Sequence, residues 1–417
     1  MPRSAPGWGG ALCARVARDY AVEVVVPQWR ALFDGVIAER APAPAPGLFR
    51  SFRQGGFECS THRLRSGRRL DVIAAIGHDR FAAEDYRQLA RHGIRTLRDG
   101  FRWHLIETAP GRYDWSSIRP MLAAAEATGA QVIWDLMHYG WPDDIDIWAP
   151  GFVERFAAFA GAAGRLMRET TGAVPFWCPI NEISFLSWGG GDVGYLNPFG
   201  RGRGFELKVQ LARAAIRAME ELRAADPRAR FVHCDPLIHI APQRPEDRAA
   251  AEGHRLAQYQ GWDMIAGRMW PQLGGRAEFL DILGVNYYPT NQWLHGGPPI
   301  GPDHPAHRPL HLLLAEVQAR YGRPMILAET GTEDDARGAW LGHVAAEVAI
   351  ARACGVPVEG ICLYPVADHP GWDDDRDCRN GLLSARRGPA GREVHQPLAE
   401  VLARLPDGAA PLAATGR

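Results

Sequence analysis

Two carboxylic acids end strand-like stretches of this chain. The run Val174-Pro-Phe-Trp-Cys-Pro-Ile-Asn-Glu-Ile-Ser184 is rich in aromatic and β-branched residues and stops abruptly on Asn181-Glu182. A short apolar run of that kind predicts a strand buried on both faces. A second, Pro324-Met-Ile-Leu-Ala328, ends on Glu329 about 150 residues later. In a barrel of parallel strands every carboxyl end opens on one site. Two carboxyl groups delivered there can hydrolyse a glycosidic bond, one as acid, the other as nucleophile or base. Taken singly, each glutamate reads equally well as a solvated or ion-paired residue. The pair carries the argument.

The remaining elements must supply such a barrel. Strand patterns occur at Phe52–Ser60, Ile94–Phe101, Gln131–His138, Phe231–Asp235, Leu280–Tyr288 and Val358–Tyr364, besides the two glutamate-bearing runs. Helical patterns fall between and after them, at 81–92, 117–129, 152–168, 205–225, 310–321, 337–354 and 396–405, with one more helical segment expected within 236–276. Gly93 and Gly129 read as helix C-terminal caps, and Ser116-Ser117 as a helix N-cap. Phe152, Phe156, Phe159, Ala163 and Leu166 recur at helical spacing, a core stripe rather than a cofactor site. Eight strands alternating with about eight helices predict a (β/α)8 TIM barrel. Residues 1–48 read as a short N-terminal extension, with a strand at Tyr20–Val26, a helix at Gln28–Glu39 and a stiff Ala/Pro linker at Ala41–Gly47; residues 49–417 form the barrel domain.

Composition narrows the partners. The formal charge of −1 gives no reason to expect nucleic acid or an anionic membrane surface, and no run of 18 apolar residues predicts a membrane span. Arginine supplies the positive charge, with Lys208 the one lysine. The seven scattered cysteines, in apolar settings and without a CxxC spacing, predict free buried thiols rather than a disulfide framework or a zinc site. No apolar leader precedes a cleavage site, so the cytoplasm is the expected location. No cofactor or metal is implied; Asp373–Asp375 lacks the spaced oxygen ligands of a calcium loop.

Over roughly residues 49–405 the order of these motifs resembles the family 1 glycoside hydrolases, retaining β-glycosidases on a TIM barrel. Asn181-Glu182 is similar to the family's Asn-Glu-Pro, which implies that Glu182 is the acid/base and Asn181 a sugar 2-hydroxyl ligand, with Ile183 in place of the proline. Glu329 in Ala328-Glu-Thr-Gly331 corresponds to the nucleophile of Thr-Glu-Asn-Gly. Arg98 in Arg98-Asp-Gly-Phe-Arg-Trp103 is then the guanidinium that keeps the nucleophile ionised. The resemblance also implies that His138, Asn286 and His62 bind sugar, His62 standing where the family has a glutamine, and that Tyr288 bonds the nucleophile. On the last strand Tyr364 replaces a tryptophan under the sugar ring, Asp368 and Trp372 are retained, and Gly371 replaces the glutamate that holds the 4- and 6-hydroxyls. Trp103, Trp141, Trp188 and Trp372 are expected around the mouth as stacking platforms. The expected activity is cleavage of a β-linked sugar in a small carbohydrate substrate, by double displacement through two glutamates. A transglycosylase would use the same residues, and a catalytically silent sugar-binding barrel is the reading that Gly371 leaves open.

Overall fold

The eight strands close into one parallel barrel in the computed structural model, which describes residues 47–406. They are β1 (Arg53–Gly56), β2 (Thr96–Gly100), β3 (Gln131–Asp135), β4 (Phe176–Cys178), β5 (Arg230–Pro236), β6 (Ile282–Asn286), β7 (Met325–Thr330) and β8 (Val358–Leu363). Neighbours pair in chain order, and β8 closes onto β1 with Arg53 opposite Ile361. Around them run α1 (His78–Ala90), α2 (Arg119–Thr128), α3 (Gly151–Thr170), α4 (Gly204–Ala225), α5 (Arg248–Leu256), α6 (Leu310–Tyr321), α7 (Ala336–Ala353) and α8 (Gln396–Arg404), with shorter helical turns in the loops. This is the (β/α)8 barrel expected. The predicted strand, helix and linker before Gly47 lie outside the described residues.

Successive strand residues face opposite ways, and the barrel sorts them accordingly. Ile133, Phe176, Cys178, Val232, Cys234, Ile282, Ile326 and Ala328 pack together as an apolar interior, with Phe49 beside them. Their alternate neighbours Trp134, Trp177, Phe231, Leu283 and Leu327 pack outward into the layer shared with the helices. The aromatic stripe of α3 is buried in that layer, as its spacing predicts. Arg98, Asp135 and Asn286 continue the inward parity above the apolar plug, so the Arg98–Asp135 ion pair and the Asn286 amide sit on an apolar floor.

Glu329 breaks the parity. A regular β7 that points Ile326 and Ala328 inward would turn Glu329 outward. The ladder to β6 shifts register between Leu327 and Glu329, and the ladder to β8 shifts between Leu327 and Thr330. A bulge of this kind re-aims one side chain, here the carboxyl, into the barrel.

Several local readings change. α2 begins at Arg119 without a side-chain cap, because Asp114 accepts the Ser116 N–H and organises the turn before it. The segment 236–276 holds a short strand, His239–Ala241, as well as two helices. That strand pairs with Gln292–Leu294, tying two long loops into one wall above the barrel. A hairpin of Leu383–Gly388 and Gly391–Val394 precedes α8 and is not evident in the sequence pattern. It is anchored at Asp85 on α1, whose carboxylate accepts from Arg387, Arg392 and His78. Six described cysteines are free thiols, Cys354 being the exposed one. Among the described residues no helix is long and apolar enough to cross a membrane.

Candidate active site

A cavity of about 1490 Å³ opens at the carboxyl ends of the strands, and Glu182 and Glu329 both line it. Glu182 follows β4 on a left-handed backbone turn, φ 48° and ψ 63°. Its N–H donates to Cys234 O at 2.9 Å, and the buried Asp235 carboxyl accepts Ser184 N–H and Oγ–H at 2.9 and 2.7 Å. The neighbouring strand β5 therefore holds this non-glycine residue in its strained conformation. The carboxyl accepts Asn286 Nδ2–H on Oε1 at 2.9 Å and the Tyr139 hydroxyl on Oε2.

Glu329 has different company. Arg98 donates to Oε1 at 2.9 Å and the Tyr288 hydroxyl to Oε2 at 2.9 Å. Burial pushes both carboxyls upward. For Glu182 burial and the charge of Glu329 together raise the pKa to about 8. For Glu329 burial also wins, but Arg98 opposes it directly. Only one of the two has a cation bonded to it, so a proton shared by the pair resides on Glu182.

Arg98 is the hub. Besides Glu329 it donates to Asp135 Oδ2 at 2.6 Å, Asn181 Oδ1 at 3.0 Å and Ala328 O at 3.2 Å. Its guanidinium lies 5.2 Å from the centre of the Tyr364 ring. That ring packs close over Gly56, where any Cβ would run into it. Asn181, with its oxygen turned to Arg98, presents Nδ2 to His138 Nε2 at 3.2 Å and to the Tyr139 hydroxyl at 3.1 Å. His138 Nδ1 bonds Asp135 Oδ2 at 2.9 Å. Burial disfavours a charge on His138, yet the carboxylates Glu58 and Asp135 help hold its pKa well above the ordinary value.

Of the residues singled out in the sequence, Glu182, Glu329, His138, Tyr288 and Trp372 line the cavity. Arg98, Asn181 and Asn286 stand behind them, each bonded to one of the lining groups, and Tyr364 lies flat against His138, the ring planes 4° apart. His62 is buried, edge-on to Trp372 at 5.1 Å, and lines a neighbouring recess rather than the main cavity. Asp368 turns away from the cavity: Oδ1 accepts Gly381 N–H at 2.8 Å and lies 3.5 Å from Arg337. Trp103 is not at the mouth; it is fully buried against Phe156 and Phe159, its indole N–H on Glu107. Trp188 is half exposed on the rim.

Three groups in the site have no motif to announce them. Tyr139 is sequence neighbour to His138, but its positive φ of 64° is what aims its hydroxyl at Glu182. Asp135 ends β3 with inward parity, a signal the strand pattern already contained. Glu58 follows β1 and lines the cavity as a further buried acid. Cys59, Asp135 and His138 place possible ligand atoms within 4.8 Å of one another. Asp135 Oδ2 is already bonded to both Arg98 and His138, so a metal cation there would face the guanidinium.

The same barrel architecture occurs in solved structures of β-glucosidases. A family 1 β-glucosidase from Thermotoga maritima superposes with a TM-score of 0.67 at 16% identity, over 85% of this chain and 94% of that one. A hyperthermophilic β-glucosidase mutant that forms a dodecamer in its crystal gives 0.69 at 15% identity, over 87% and 100%. The AHE enzyme from Alicyclobacillus herbarius gives 0.66 at 18% identity, over 79% and 86%. No protein-family model matches the chain, and no curated protein matches it in sequence. At these identities the likeness is one of fold.

Proposed function

We propose that the protein is a retaining glycoside hydrolase acting on a β-linked sugar. The observation that carries this reading is the asymmetry of the two cavity carboxyls: Glu329 is bonded by Arg98, whereas Glu182, uncompensated by any cation, is raised to about 8. Glu182 then enters the reaction protonated and gives its proton to the leaving oxygen. Glu329, oriented by Arg98 and Tyr288, attacks the anomeric carbon and forms the glycosyl ester. Once the aglycone departs, Glu182 is a carboxylate and takes a proton from the water that cleaves the ester. Asn286 and Tyr139 keep the acid turned toward the cavity in both halves of the cycle.

The test is a panel of nitrophenyl β-glycosides (gluco, galacto, fuco, xylo, arabino and uronic), with the product anomer followed by proton NMR. Net retention is expected. Glu329→Gln loses turnover of every substrate. Glu182→Gln loses turnover of poor leaving groups but spares dinitrophenyl glycosides, whose departure needs no proton. Equal losses on both kinds of substrate, or inversion, would refute the assignment.

A further inference from the structure

Glu58 takes no part in that chemistry, yet it is a buried carboxylate in the wall of the same cavity, 6% exposed. Its Oε1 accepts Ser60 N–H at 2.9 Å and the Ser60 hydroxyl, and lies 3.6 Å from His138 Nε2. Every hydrogen bond it makes among the described residues goes to Oε1. Oε2 is left without a protein donor, and it is not among the sealed, unpartnered atoms. Burial opposes an ionised Glu58, but His138, His369 and the Ser60 bonds outweigh it and hold the carboxyl below its ordinary range. The result is a fixed, charged acceptor with one oxygen free in the cavity.

Its position is set by a chain of contacts. Glu182 meets Tyr139, Tyr139 meets Asn181, Asn181 meets His138, and His138 meets Glu58. Glu58 thus stands beside His138, close enough to His62 for its charge to bear on that ring, and His62 packs edge-on against Trp372. Position 371 supplies no side chain, and a Cβ built on Gly371 would run into Asp374 Oδ1. Asp374 is exposed and lies 3.6 Å from Arg376, whereas Glu58 is buried in the cavity wall.

We infer that Glu58 is a specificity-determining residue, its free oxygen accepting hydrogen bonds from hydroxyls of a neutral glycone held beside His138. This rests on the glycosidase reading. Oε1 is already taken by the Ser60 donors, with His138 3.6 Å away, so the open Oε2 is the atom that meets hydroxyl donors. The charge of Glu58 in a dry wall disfavours a phosphate or uronate beside it.

The experiment compares wild type with Glu58→Gln, first on the glycoside panel and then on monodeoxy forms of the best substrate. Glu58→Gln should lose about 10- to 100-fold in kcat/KM, the range of one or two charged hydrogen bonds. In wild type, removing one of the contacted hydroxyls should cost a similar factor, and that deoxy substrate should lose less than about threefold further in the variant, as coupled partners do. The deoxy series in wild type needs no variant, and thermal unfolding checks that Glu58→Gln is folded. If wild type turns over glycosides but Glu58→Gln stays within about threefold, or if the losses multiply at every deoxy position, the inference fails and the hydrolase reading stands. If wild type hydrolyses no glycoside, the hydrolase reading fails. Calorimetric titration with the methyl β-glycosides then decides: binding weakened tenfold or more by Glu58→Gln supports the role of Glu58. Unchanged binding, or none in wild type, overturns it.

Discussion

Replacing Tyr139 by phenylalanine should move the alkaline limb of the pH profile upward. The Tyr139 hydroxyl donates to Glu182 Oε2 from a site 2% exposed, and this bond favours the ionised form of the acid. With the bond in place burial and Glu329 set the acid at about 8, so kcat/KM should fall as the pH rises through that value. A hydrogen bond to a charged group contributes about 1.5–3 kcal/mol, and about 1.4 kcal/mol corresponds to one pH unit. Deleting it raises the cost of ionising Glu182, and the limb should rise by about one to two pH units. The assay is kcat/KM from pH 5 to 10 on a glycoside with an unactivated leaving group; a dinitrophenyl glycoside, which needs no acid, serves as the control. Glu182→Gln should show no such limb. A limb in Tyr139→Phe that stays at the wild-type pH or moves down would refute the assignment of Glu182 as the acid, because the bond would then not be bearing on the titrating group.

The same raised pKa has a cost in stability. A carboxyl at about 8 when folded, against an ordinary 4.5, binds more proton in the native state between those values, so its contribution falls as the pH climbs from 4.5 through about 8. Glu182→Gln should therefore raise Tm near pH 8 and converge with wild type near pH 5, as measured by calorimetry. Arg392→Ala removes one of three basic partners of the buried Asp85, with Arg387 and His78 still bonded, and should destabilise the fold by about 1.5–3 kcal/mol in urea titration, with little change in KM. For Gly371, simple glucosides should be poor substrates. A Cβ there meets the tip of the exposed Asp374 side chain, which can swing aside, so Gly371→Glu should improve kcat/KM on nitrophenyl β-glucoside; a wild type that prefers that glucoside would contradict this.

The sequence by itself determined the strands, the major helices and the ends on which chemistry could sit. Strands buried on both faces are continuous apolar runs, and their polar terminators stand out: Asn181-Glu182, Glu329, and Asn286 in Asn286-Tyr-Tyr288. Spacing within one strand is local and therefore legible. Which way a terminator points is not always local. The inward turn of Glu329 depends on a register slip against both neighbouring strands, and the turn at Glu182 depends on Cys234 and Asp235 from β5.

Only the tertiary structure decided which polar residues share the cavity. Tyr139 reaches Glu182 through a left-handed backbone that no residue type advertises. Glu58, four residues before the expected ligand His62, is the one that lines the main cavity, because the chain past β1 carries His62 on into the recess beside Trp372. Asp368 matched a motif by position alone, and the backbone N–H of Gly381 claimed it. The partners that set a carboxyl's charge come from other strands and loops, so the electrostatics of this site are a property of barrel closure.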